Sequence, residues 1–138
     1  MDQRSYKLRR NRPSRRGAAT VELAMVLPVL LITVFGTIEV CQRIFLRQSA
    51  VIAAYEGARL CARGIATNEK VKERCNALLN NRGIKNSTVA VTPSDILTAK
   101  SGTELRIRVE VPWADNSPTR FVVQNQGSVV IEAVMLRE

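Results

Sequence analysis

The chain has 138 residues, no histidine and three cysteines, and its 21 Lys and Arg against 12 Asp and Glu give a formal net charge of +9. Without an imidazole there is no Ser-His or Cys-His pair, no HExxH helix and no proton shuttle near neutral pH, and neither a P-loop nor a GxGxxG stretch is present. The composition therefore points away from an enzyme: no catalytic residue, no metal site and no cofactor is expected.

Residues 1–17, MDQRSYKLRRNRPSRRG, hold seven Lys or Arg against one Asp, so most of the excess charge sits in this leader. No aromatic platform or recognition helix accompanies it, which argues against nucleic acid as a partner. The leader abuts an apolar run, and positive charge beside a membrane span fixes that side in the cytoplasm.

From Leu23 to Ile38 the chain reads LAMVLPVLLITVFGTI without a charge, and Ala18 to Val21 extend it backwards across Glu22. At about 1.5 Å per residue, residues 18–40 match the ~30 Å hydrocarbon core of a bilayer. The run exceeds an ordinary signal peptide and no A-x-A pattern follows it. Cys41 is preceded by Ile38, Glu39 and Val40, which do not make a lipoprotein junction. A carboxylate inside such a helix costs about 2.5 to 3.5 kcal/mol at its centre and less near its ends, so Glu22 either reaches the interface or has a partner. Pro28 and Gly36 read either as residues a membrane helix tolerates or as a helix kink, a bend or a local unwinding.

The helical period continues beyond the span. Ile44, Val51, Tyr55, Ala58 and Ala62 recur at helical spacings, with Arg43, Arg47, Arg59 and Arg63 on other faces and Glu39 four residues before Arg43. One helix is expected from Ala18 to near Ala62. A second, short amphipathic helix follows, capped by Asn68, with Val71, Cys75, Leu78 and Leu79 as its apolar stripe and Gly83 at its end. Cys61 and Cys75 are placed to staple the two helices as a disulfide in an oxidising compartment; the other reading is three unpaired small hydrophobes.

The period then changes to two. Val89 and Val91 share one face of a strand, and Leu105, Ile107, Val109 and Val111 alternate with Arg106, Arg108 and Glu110 in a clearer one that Pro112 closes. ADNSPTR reads as loop, FVVQ as a short strand, NQG as a turn and residues 128–138 as a last strand. The fold class is α+β: a long N-terminal transmembrane helix running into a domain with a second short helix and a three- to four-stranded antiparallel sheet. The organisation is a leader at 1–17, a span at 18–40 and an extracytoplasmic domain at 41–138.

The basic leader, RRGAATVELA at residues 15–24 and the proline-bearing span together resemble the start of the TadE-like pseudopilins, minor subunits of the tight-adherence (Flp, type IVc) pilus machinery of bacteria. EGARLCARG, VEVPW and AVMLRE are similar to later parts of that family in the same order, so the resemblance runs over residues 15–138. It implies a pilin-like domain, removal of the leader by a prepilin peptidase between Gly17 and Ala18, and Glu22 as the fifth residue of the mature chain. Leu23 departs from the phenylalanine more common after that glutamate. The resemblance further implies a single-pass protein of the bacterial inner membrane, its N-terminus cytoplasmic. Its partners would be the membrane, the peptidase, and other pilin and pseudopilin subunits along the N-terminal helix, and it would act in assembly, initiation or tip formation of an adhesive pilus. The rival expectation is an uncleaved, single-span anchor carrying an extracytoplasmic binding or secretion-adaptor domain, which needs neither Gly17 nor Glu22.

Overall fold

In a computed structural model, residues 15–64, 66–117 and 127–138 are described. The expected leader up to Ser14, the end of the loop after Ser117, the short strand at 121–124 and the start of the following turn lie outside them. The chain divides between Val34 and Phe35 into two compact units.

The N-terminal unit contains the first part of α1, which runs from Arg15 to Ala62. It starts three residues earlier than expected. Every residue from Gly17 to Val34 is exposed, including Leu23, Met25, Val29 and Ile32. An isolated helix this apolar all round has no reason to face water, and the stretch is long and apolar enough to cross a membrane. Pro28 removes one backbone hydrogen bond, yet the helix continues through it, and the Thr33 hydroxyl donates to the Val29 carbonyl at 2.8 Å. Gly36 is helical as well, so neither position carries the local unwinding that the sequence suggests.

In the second unit, α1 packs against α2 (Asn68–Asn81) and a three-stranded antiparallel sheet of order β1-β2-β3 (Thr88–Thr92, Glu104–Pro112, Ser128–Leu136). Its buried face is Leu46, Ala50, Ala53, Ala54, Ala58 and Cys61. Of the expected stripe, Ala58 and Ala62 are buried, whereas Ile44, Val51 and Tyr55 are 51%, 44% and 55% exposed. The reason is size. A face of alanine and glycine lets α1 approach α2 and the sheet closely, so closely that a Cβ on Gly57 would stand 2.5 Å from the Cys75 Sγ. Ser49 is also buried, its hydroxyl donating to the Phe45 carbonyl and accepting from Arg82.

The cap of α2 is Thr67, not Asn68: the Thr67 hydroxyl accepts from the Lys70 amide. Asn68 instead holds the loop after β1, donating to the Pro93 and Ser94 carbonyls and accepting from the Ile96 amide. That loop seats the fully buried Ile96, and the Arg137 guanidinium holds its Ile96, Leu97 and Ala99 carbonyls from the other side. At the other end, the Gly83 amide donates to the Asn80 carbonyl and the Ile84 amide to Leu79, with Gly83 at φ +72°. This left-handed ending is the one glycine permits without strain, and Ile84 packs back beside Leu79 in the core.

Leu105, Ile107, Val109 and Val111 are all fully buried, so β2 supplies the centre of the core as the alternation requires. Val89 and Val91 share the inner face of β1. The stretch after Pro112 is not simply loop: Trp113–Asn116 makes one helical turn, α3, fastened because the Asn116 amide donates to the Pro112 and Lys85 carbonyls. On the outer face of the sheet, Glu132 meets Arg106 and Arg108 at 3.6 and 3.9 Å, half-exposed pairs of the kind that contribute little to stability.

Candidate functional site

The processing and assembly residues expected from the sequence lie at the start of α1. Gly17 and Ala18 fall in its first turn and are exposed. The first four amides of any helix lack intrahelical acceptors, so this turn is held by fewer hydrogen bonds than any turn behind it. Glycine weakens it by a further ~1 kcal/mol relative to alanine. The junction therefore lies inside a helix that was expected to begin at Ala18, but it occupies the turn that opens at least cost.

Glu22 is exposed and stands four residues after Ala18. Positions four apart share one face of a helix, so Glu22 stands on the same face as Ala18, one turn further along α1. No acidic residue occupies the first turn of α1. Pro28 and Gly36 lie on the same helix but are not brought near this group.

The thiols form a separate feature. All three are free: Cys41 is exposed, whereas Cys61 and Cys75 are buried. The expected bridge is not formed, and the Cys75 thiol donates instead to the Ala53 carbonyl at 3.3 Å. Burial pushes the Cys61 thiol from an ordinary 9.0 up to about 11, with Cys75 adding to the rise. Burial likewise pushes Cys75 up to about 11, although Arg74 opposes it. A raised thiol pKa favours the protonated, folded form at pH below 9 and loses that advantage as pH climbs toward 11. Two outcomes are expected in detergent: a maleimide modifies Cys41 alone at neutral pH until the chain is unfolded, and unfolding stability declines between pH 9 and 11. Cys75→Ala should flatten that decline, as measured by urea unfolding at each pH.

Among the described residues Glu39 is a buried carboxylate that helical spacing alone did not reveal, 5% exposed on α1 within the second unit. Its sequence signals are that it follows the uncharged run and stands four residues before Arg43. Among the described residues no group of three or more His, Cys, Asp or Glu is arranged to hold a metal.

No curated protein and no solved structure matches this chain. Residues beyond Arg59, which hold VEVPW and AVMLRE, lie outside the family match. That match, to TadE-like protein, covers residues 17–59, so it begins at Gly17 and contains Glu22 and the whole apolar stretch, and over its long N-terminal helix the chain is similar to TadE-like proteins.

Proposed function

We propose that the protein is a minor pseudopilin of a tight-adherence pilus, matured by a prepilin peptidase that cuts between Gly17 and Ala18, and that it acts without enzymatic activity of its own. The observation that carries this reading is that the TadE-like match starts at Gly17, the residue before the expected cut, and continues through the exposed apolar helix. In this reading residues 18–40 cross the inner membrane once, the N-terminus is cytoplasmic, and residues 41–138 lie outside.

Cutting there gives Glu22 a task. The new amine on Ala18 has a reference pKa of about 7.7 to 8.0 and is mostly protonated at neutral pH. Both charges lose water when the mature helix enters a bundle of other subunits, and pairing them offsets part of that cost and fixes axial register. The Ala18 amine and the Glu22 side chain are one helical turn apart, so the pair can close within one chain or between neighbours.

One observation favours the uncleaved anchor: α1 is already helical at Gly17 and Ala18. The two readings separate by intact mass and N-terminal sequence of the membrane-extracted protein, with and without the peptidase. A chain starting at Ala18 only when the peptidase is present supports the pseudopilin; an unprocessed chain in both cases overturns it. Glu22→Ala is expected to be processed normally yet to fail in assembly, read as loss of co-purification with other pilus subunits. Unchanged assembly would remove the role given to this charge.

A further inference from the structure

Beyond the apolar run, the second unit contains a groove of about 410 Å³ whose walls include Arg43 and Arg47 of α1, Trp113 of α3, and Val129, Val130 and Ile131 of β3. Its lining combines two cations, one indole and an aliphatic strand, and no carboxylate lines it among the described residues. The Arg43 guanidinium lies 5.2 Å from the centre of the Trp113 ring. Stacking of this kind holds a guanidinium in place while its edge N–H groups remain suited to a phosphate.

The position of the groove selects among phosphates. Arg43 and Arg47 follow Ile38, the last residue of the uncharged run, by five and nine residues on the same helix. At 1.5 Å per residue this is about 7 to 14 Å past the apolar run, where the headgroup layer occupies roughly the first 5 to 8 Å. Helical side chains lean toward the N-terminus, here back toward the membrane, so two long arginines recover the difference. Trp113 is the kind of residue that settles at this depth. A free anion would need the arginines but not the valine and isoleucine wall, whereas a lipid uses both.

We propose that this groove binds the phosphate headgroup of an anionic phospholipid in the extracytoplasmic leaflet, with the upper acyl chain against β3. The proposal rests on α1 crossing the membrane with residues 41–138 outside, and it does not depend on cleavage after Gly17.

Trp113 is the single tryptophan, so its fluorescence reports the site directly. The full-length protein is reconstituted in phosphatidylcholine vesicles containing a fixed minor fraction of brominated phosphatidylglycerol or of brominated phosphatidylcholine. The anionic quencher is expected to quench Trp113 at least about two-fold more strongly, since each arginine near a membrane enriches anionic lipid around it. Arg43→Gln with Arg47→Gln should equalise the two quenchers. Arg43→Lys with Arg47→Lys should keep most of the preference, which separates lost charge from lost fold. Equal quenching of the unsubstituted protein overturns the proposal, as does a Trp113 response to inorganic phosphate in purely zwitterionic vesicles, which would mark a free-anion site. Absence of quenching by either lipid also overturns it; protease protection and resistance to alkaline extraction then show separately whether α1 is inserted.

Discussion

Gly17→Val is expected to leave the protein at its unprocessed length in membranes that contain the prepilin peptidase, and the unsubstituted chain is expected to start at Ala18. A protease must straighten the backbone on both sides of the bond it cuts, and the cut proposed between Gly17 and Ala18 lies in the first turn of α1. Opening the turn breaks few hydrogen bonds, and glycine adds nothing to its helical stability. Valine adds a branched side chain beside the scissile carbonyl, and misplacing a reacting group by ~1 Å can lower a rate by about 10²-fold. Gly17→Ala, which restores helix propensity but adds only a methyl group, should be processed more slowly than the unsubstituted chain and faster than Gly17→Val. Mass spectrometry of the membrane fraction distinguishes the three. If Gly17→Val matured normally, the cut would not depend on this residue, and the permanent-anchor reading would gain.

Parts of this architecture were legible in the sequence because burial there follows a strict period. In β2, Leu105 to Val111 alternate without exception, and all four inward positions are fully buried. The boundary of the long helix near Ala62 was likewise readable, since Gly64 follows and takes φ +66°. The phase of α1 was not readable. Apolar residues occupy most faces of its outer half, so hydrophobicity could not say which face is buried, and the choice fell to size: Ala50, Ala53, Ala54 and Ala58 go in while Ile44, Val51 and Tyr55 stay out. Thr67 and Asn68 are both competent helix caps, and the loop carbonyls of Pro93 and Ser94 decided between them by engaging Asn68. The meeting of Arg43 with Trp113 joins positions 70 apart in the chain, and no local pattern encodes it. At the N-terminus, by contrast, the order of arginines, Gly17, Glu22 and apolar span was enough to suggest the family, because a membrane imposes length and charge rules on a single segment.

The close approach of α1 and α2 makes a second prediction whose sign depends on one atom. In an ordinary helix interior Gly→Ala stabilises by about 1 kcal/mol, through reduced backbone entropy in the unfolded chain. At Gly57 the added methyl would sit 2.5 Å from the Cys75 Sγ, with the Ile107 and Val71 side chains at 3.4 and 3.5 Å. The sulfur cannot simply swing aside, since it is fully buried and its thiol donates to the Ala53 carbonyl. Gly57→Ala should therefore destabilise the protein by about 1 to 3 kcal/mol, the usual scale of overpacking, as measured by urea unfolding in detergent. Gly57→Leu should destabilise further, because the larger side chain must displace the same Cys75 and Val71 side chains of α2 and Ile107 of β2. Replacing the sulfur changes the balance: Cys75→Ala leaves a small void that the methyl added at position 57 partly fills, while the propensity gain remains. In the Cys75→Ala background, Gly57→Ala should be neutral or stabilising, giving a coupling between the two sites on the order of 1 to 3 kcal/mol. Additive effects would mean that the backbone of α1 yields instead, and that the alanine face is not what sets its distance from α2.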